Sequence, residues 1–268
     1  MTTILITGST DGIGFATADM LLDQGATVLL HGRSPGKLKA AKAVLADRHG
    51  ADRIASYLAD LSVAADVERL AADVARDNRG LDVLINNAGV YAAPGGARPD
   101  GLDPRFVVNT IAPYLLARLL LPTMNPRGRI VNLSSAAQSS VDPQALTARQ
   151  PLSDGAAYAQ SKFALTIWTQ HLAAELGESG PAVIAVNPAS MLGSKMVKEA
   201  YGIAGGNLDI GADILTRVAI SHEFADASGR YYDNDRQAFA APHPDGGNPS
   251  KVESVMAALK EAVAIFTR

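Results

Sequence analysis

Six short apolar runs, each followed by a stretch of different periodicity, constrain this chain more than anything else in it. The runs are "TILIT" (3–7), "TVLLH" (27–31), "RIASYL" (53–58), "DVLIN" (82–86), "RIVNLS" (129–134) and "AVIAVN" (182–187). Apolar residues at helical spacing fill the intervals at Gly12 to Gln24, Lys37 to His49, Ala64 to Asn78, 103–121 and 155–177. Strands that are apolar throughout, rather than at every second residue, are covered on both faces, and helical crossovers put the covering there. Right-handed crossovers then predict an α/β fold, a doubly wound parallel sheet with helices on both faces. Beyond Pro188 the pattern loosens. A short helix between glycines is expected at 190–208, a lid-like stretch. A helix follows at 210–224, a last strand at 229–235 ("GRYYDND"), a loop through "FAAPHPDGGNPS", and a final amphipathic helix from Lys251 to Phe266. No Pro/Gly-rich linker precedes Pro188 and no repeat is present, so residues 1–268 are expected to form one domain.

Composition narrows the function. The 268 residues are 47% hydrophobic, enough for a large core, and 24 Lys plus Arg against 27 Asp plus Glu leave a net charge of -3. There is no basic run, so no nucleic-acid partner is expected. The chain has no cysteine, which removes disulfides, thiolate nucleophiles and Cys-based metal sites. Its five histidines show no ligand spacing and no metal is expected; G-x-S-x-G, the serine-hydrolase elbow, does not occur. The first residues carry no signal-peptide pattern. Phe106 to Pro122 contains Asn109, Pro113 and Arg118 and reads as a core helix, not a membrane span. A reducing, cytoplasmic setting is the expectation.

The first strand runs into "ITGSTDGIGFA", where Gly8, Gly12 and Gly14 allow positive φ and close approach of a ligand to the backbone. The helix that follows offers free N–H groups and the positive end of its dipole, a seat for a pyrophosphate. In dinucleotide sites an acid at the end of the second strand holds the ribose 2′-OH. Here Gly32 stands in that place and Arg33 follows. Without a carboxylate a 2′-phosphate is not repelled, and a guanidinium attracts it. NADP(H) is therefore favoured over NAD(H). Further on, "AAYAQSKFAL" (156–165) places Tyr158 and Lys162 four apart on one helical face. Alone, this spacing marks a surface pair more often than a working one.

The full set of motifs resembles the short-chain dehydrogenase/reductase family. "TGSTDGIG" (7–14), "NNAG" (86–89), "VN" (108–109), "NLSS" (132–135), "YAQSK" (158–162) and "VNP" (186–188) stand in the family's order. The insert before Tyr158 is similar to that of retinol-dehydrogenase-like members. The resemblance implies a Rossmann-type sheet, a nicotinamide cofactor, and hydride transfer between cofactor and a carbonyl or alcohol. It assigns Gly8, Ser9, Asp11, Gly12, Ile13 and Gly14 to the pyrophosphate turn, Asp60 and Leu61 to the adenine side, and Asn87, Ala88 and Gly89 to the adenosine ribose. Asn109, Ser135, Tyr158 and Lys162 become the catalytic four, with Ser135 rather than Ser134 as the serine that closes its pair. Tyr158 is the acid/base, Lys162 lowers its pKa and bonds the nicotinamide ribose, and Ser135 bonds the substrate oxygen. The backbone carbonyl of Asn109 holds a water in a proton relay. Pro113, which lacks an N–H, is expected to help leave that carbonyl free.

The chain departs from the family at Ala189, where Gly is usual, and at the threonine that normally meets the carboxamide. Ser190, Ser194, or backbone near Met191 and Leu192 could replace it; Pro188 and Met191 are counted with the cofactor site. The substrate pocket is expected from 90–100, the insert 138–155 as a loop over the site, and 190–208. Tyr91, Leu146, Leu152, Met191, Leu192, Met196 and Tyr201 would make it mainly apolar, with Arg98 and Arg149 nearby. A medium-sized carbonyl or alcohol fits. A homodimer or homotetramer is expected, with Phe163, Ile167 and Gln170 as a pairing stripe. Two rival functions are weighed: a non-catalytic NADP(H)-sensing regulator, which would not need all four catalytic residues, and an extended-type epimerase or dehydratase, which needs a larger C-terminal region.

Overall fold

The computed structural model describes residues 2–92 and 98–268, the side chains of Ala200 and Tyr201 excepted. Strands and helices alternate as β1 (Thr3–Ile6), α1 (Gly12–Asp23), β2 (Thr27–Gly32), α2 (Pro35–His49), β3 (Ile54–Leu58), α3 (Ala64–Asp77) and β4 (Leu81–Asn86). There follow α4 (Pro104–Phe106), α5 (Ala112–Leu120), β5 (Met124–Leu133), α6 (Pro143–Leu146), α7 (Asp154–Leu176) and β6 (Ala182–Asn187). The chain ends with α8 (Lys195–Tyr201), α9 (Leu208–Ile220), β7 (Tyr231–Asp233), β8 (Ala238–Ala240) and α10 (Pro249–Phe266). Among the described residues the strands form one eight-stranded sheet, ordered β3-β2-β1-β4-β5-β6-β7-β8. β1 pairs with both β2 and β4, so the winding reverses between β1 and β4. In such sheets the crevice at the carboxyl ends beside this reversal is where ligands bind.

Period two along each strand sorts the core into two layers. Leu5, Leu29, Leu84, Ile130 and Val183 face α3, α5, α7 and α10 through side chains such as Leu70, Leu116, Trp168 and Leu259. Ile4, Ile6, Val28, Leu30, Val131 and Ile184 face α1, α2 and α9 through Leu21, Leu45, Ile214 and Val218. Each fully buried aliphatic side chain of this kind contributes about 1.5–3 kcal/mol.

Four expectations need correction. The strand at Tyr231–Asp233 is not the last. A further strand, Ala238–Ala240, returns antiparallel to it, with Phe239 opposite Tyr232. Three residues are too few to show periodicity; the hairpin is held by aromatic packing, Phe239 lying 5.3 Å from Tyr232 and 5.7 Å from Phe224 between ring centroids. The helix expected at 103–121 is broken by a π-helical turn at Val107–Ile111, in which the N–H of Ala112 reaches back to the Val107 carbonyl. The insert 138–155, expected as a loop over the site, is not all loop: it carries the helix Pro143–Leu146, and Val141, Ala145 and Leu146 are buried with the α10 residues Val255 and Leu259. The stripe Phe163 and Ile167 is not available for pairing either. Both are at most 1% exposed, and the His243 ring lies 4.9 Å from that of Phe163. The segment Pro104–Thr123 is long and apolar enough to cross a membrane, and most of it is packed inside the protein.

Candidate active site

The carboxyl ends of β1, β2, β4, β5 and β6 open into a cleft of about 360 Å³. One of its walls is the turn after β1. Gly8 has φ +66, and a Cβ there would lie 2.9 Å from the Cα of Ala88. A Cβ on Gly14 would lie 2.4 Å from Asn87 Nδ2. Both positions exclude a side chain, so the bare backbone of the turn meets the cleft. Asp11 caps α1 by accepting from the Gly12 N–H at 2.8 Å. Asn87 stitches the turn after β4 to this one: its Nδ2 donates to the carbonyls of Thr7 (2.8 Å) and Gly8 (3.0 Å). Thr7 Oγ1 accepts from the backbone N–H groups of Asn87 and Ala88, each at 3.0 Å.

The second wall is the end of β2. A Cβ on Gly32 would come 2.5 Å from Thr10 Cγ2, so the missing acid is matched by a neighbour that occupies its space. Arg33 and Lys37 line the cleft here, and among the described residues Lys37 pairs with Asp11 at 3.4 Å. Behind them is a residue that sequence reasoning did not single out. His31 is buried; its Nδ1 accepts the Gly8 N–H at 3.1 Å, and its Nε2 lies 3.1 Å from the Ala59 carbonyl. The two partners fix the neutral Nε2–H tautomer. Burial is the main cause of a pKa lowered from 6.5 to about 4. A signal existed: His31 immediately precedes Gly32 at the strand end that faces the ligand.

At the inner end, α7 presents Tyr158 and Lys162. Lys162 is buried, and its Nζ donates to the Leu133 carbonyl at 2.7 Å and lies 5.8 Å from the centre of the Tyr158 ring. Burial lowers the Lys162 pKa from 10.5 to about 8. Tyr91 flanks Tyr158 with ring centroids 5.2 Å apart. Asn109 sits on the π-helical turn, its side chain fully engaged. Oδ1 accepts from the Val90 N–H at 2.8 Å, and Nδ2 donates to the Val90 carbonyl (3.0 Å) and Ser161 Oγ (2.9 Å). Ser161 Oγ in turn donates to the Tyr158 carbonyl at 2.7 Å. The Asn109 side chain is therefore a fastener between loop and helix, which leaves its backbone as the part with chemistry to offer.

The two serines of "NLSS" differ in kind. Ser134 is buried, its Oγ 2.7 Å from Thr166 Oγ1. Ser135 is half-buried; its Oγ accepts from the Ala137 N–H at 3.1 Å, so its own hydroxyl proton is still available to donate.

Of the residues expected at the site, Gly8, Asp11, Gly12, Ile13, Gly14, Arg33, Asp60, Leu61, Asn87, Ala88, Gly89, Tyr158, Lys162 and Pro188 line the cleft. Asn109 and Ser135 are not in the lining, where Ser134 stands instead; nor is Ser9, which is buried, its Oγ accepting from the His31 N–H at 2.9 Å. Met191 is 46% exposed and stands outside the lining, where Ser194, Lys195 and Met196 appear instead. Ser194 also caps α8, and the Gly12 Cβ position is 4.0 Å from its Cβ. Ser190 is taken up by Asp235. On the substrate side, Leu146 and Leu192 pack inside the protein. Arg98 is held by Asp100, and Arg149 pairs with Glu261. The stretch 93–97 and the Tyr201 side chain lie outside the described residues. Among the described residues no group of three or more His, Asp or Glu could hold a metal.

The walls suit a dinucleotide. Glycines that no Cβ can replace face a helix N-terminus at one end, two cations stand at the strand that should hold a ribose, and a buried lysine lies at the other. Known proteins agree. The short chain dehydrogenase family model matches residues 2–202. The chain belongs to this family of oxidoreductases, which use a nicotinamide cofactor on alcohols and carbonyls. It is similar to human Retinol dehydrogenase 13, 29% identical over 262 residues that cover 91% of this chain and 79% of that one. A short chain dehydrogenase from Escherichia coli CFT073 complexed with NADPH superposes with TM-score 0.71 at 27% identity, over 87% of this chain and 96% of that chain. The angucycline C-6 ketoreductase LanV with bound NADP does so with TM-score 0.70 at 26% identity, over 87% and 93%.

Proposed function

We propose that this protein is an NADP(H)-dependent oxidoreductase that interconverts a medium-sized, mainly apolar carbonyl compound and its alcohol. One observation carries the reading: a single cleft has Arg33 and Lys37, with no acid at position 32, at one end, and Tyr158 with Lys162 at the other. When bound, the nicotinamide supplies or accepts the hydride. Gly8, Gly12, Ile13 and Gly14 would hold the pyrophosphate, Asp60, Leu61 and Asn87 to Gly89 the adenosine, and Arg33 with Lys37 a 2′-phosphate. NADP(H) in two structural relatives supports this choice.

As negative charge grows on the substrate oxygen, Tyr158 delivers a proton to it and the Ser135 hydroxyl donates a hydrogen bond to it. Lys162 sits beside the phenol, and a cation there favours the form that has given up its proton. Its lowered pKa near 8 makes the lysine itself able to pass a proton near neutrality. Pro113 has no N–H to offer the Asn109 carbonyl, and the π-helical turn shifts the neighbouring bonds, so that carbonyl can accept from a water linked to Lys162. If copies pair, a face other than Phe163 and Ile167 does it.

A panel of aldehydes and ketones of graded size, followed by NADPH and NADH oxidation at 340 nm, tests the reading. Turnover of apolar carbonyls with NADPH, at several-fold or more the rate with NADH, is expected. No carbonyl-dependent oxidation of either dinucleotide refutes it.

A further inference from the structure

Strand β7 and the turn after it, residues 231–235, carry none of the motifs quoted above, yet they hold the chain next to Ser134 and Pro188, which line the cleft. On one side, the buried Tyr231 donates through its hydroxyl to the Ser135 carbonyl at 3.1 Å. Gln138 Nε2 donates to the same oxygen at 3.0 Å, so the backbone of Ser135 is pinned by two side chains. Burial, followed by the charges of Asp233 and Asp235, pushes the Tyr231 pKa well up, which keeps the hydroxyl a donor throughout the working range.

On the other side is the turn after β6. Ala189 has φ 128 and Met191 φ 53, values that non-glycine residues rarely adopt. Such backbone persists only where the surroundings over-determine it. The surroundings here are the β7 hairpin. Asp235 accepts from the Ser190 N–H (2.8 Å), the Ser190 hydroxyl (2.5 Å) and Asn187 Nδ2 (2.9 Å). Asn187 Nδ2 also donates to Asp233 at 2.9 Å, across the β6–β7 register. Asn234 Nδ2 donates to the Pro188 carbonyl at 2.9 Å. Where a glycine is usual this chain has Ala189, and the carboxylate of Asp235 holds the neighbouring Ser190 in shape.

We propose that Tyr231 and Asp235 are positioning residues that act as one brace. Tyr231 sets the backbone of Ser135 and Asp235 sets the turn Pro188–Met191, so the substrate side and the nicotinamide side of the cleft keep a fixed spacing. Neither touches substrate or cofactor. The inference rests on the oxidoreductase reading above for its kinetic consequences, but the clamp on Ser190 stands on geometry alone.

The test uses Tyr231→Phe, which keeps the ring and removes the donor, and Asp235→Asn, with Asp235→Ser as a second variant. Tyr231→Phe is expected to lower kcat roughly 5- to 20-fold and leave the NADPH Kd, read by fluorescence titration, within about twofold. Asp235→Asn is expected to raise that Kd and the NADPH KM roughly 5- to 10-fold, with the smaller effect on kcat. In ligand-free protein it should also speed hydrogen exchange at the Ser190 amide. A merely structural role would lower the melting temperature without this split between kcat and KM, and that result overturns the brace. So does Ser190 exchange at the wild-type rate in both Asp235 variants. If wild-type protein binds no dinucleotide, the oxidoreductase reading falls, and the Ser190 exchange rate still decides the clamp.

Discussion

The two ends of the cleft are built differently. At the inner end Lys162 and Asn109 are buried and hydrogen-bonded to backbone, and Tyr158 packs against Tyr91. At the cation end Arg33 and Lys37 are exposed, and among the described residues Lys37 has one long pair to Asp11. Charge in a buried setting acts strongly because little water screens it; charge at the surface is screened and worth far less. Under the proposed function, the difference means that the inner end decides whether the reaction proceeds and the outer end only which dinucleotide is preferred.

The strongest attempt to break this contrast is Tyr158→Phe. Removal of the proton donor should reduce kcat about a thousandfold or more while the NADPH Kd stays within a few-fold. Near-normal turnover would end the assignment. Next comes acid stability, which belongs to the hidden layer between the two ends. The fold favours neutral His31, whereas the unfolded chain binds a proton below about pH 6.5. The resulting stabilisation, about 3 kcal/mol, is complete above pH 6.5 and lost as the pH falls toward 4. Urea melts of wild type and His31→Asn at stepped pH check this: the variant should be less stable near neutrality and lack the His31 share of the decline. A smaller effect is expected at the outer end. Arg33→Asp should weaken NADP(H) roughly tenfold and NAD(H) little, as read by titration of both; equal losses would undo the preference. Lys37→Ala should cost NADP(H) only about two- to threefold at low salt and less at high salt.

The same contrast governs what could be read from sequence. The apolar strands and the glycine turn were legible because their cause is local: a buried parallel strand must be apolar along its length, and Gly8 and Gly14 have no room for a Cβ. That Tyr158 and Lys162 share a helical face was legible because one turn joins them; that they work together came only from the resemblance. The π-helical turn at Asn109 was half legible, since Pro113 announced that a hydrogen bond would be missing but not how the backbone would recover. The β7 brace was not legible, and of His31 only its place before Gly32 was. Their meaning comes from partners such as Gly8 and Ala59, or Ser135 and Ser190, far along the chain, and no spacing rule links them. The burial of Phe163 and Ile167 was hidden for the same reason: only packing shows that both are covered, Phe163 by the chain's own His243.

Thr10 and Gly32 carry a consequence for how such a protein could change over generations. A Cβ at position 32 would lie 2.5 Å from Thr10 Cγ2, so an acid introduced there first arrives in a crowded site and must displace a stiff β-branched neighbour. Trimming Thr10 to glycine or alanine beforehand removes the obstacle. The order of the two substitutions therefore matters: one route to an acidic strand end is open, and the other begins with a step backward.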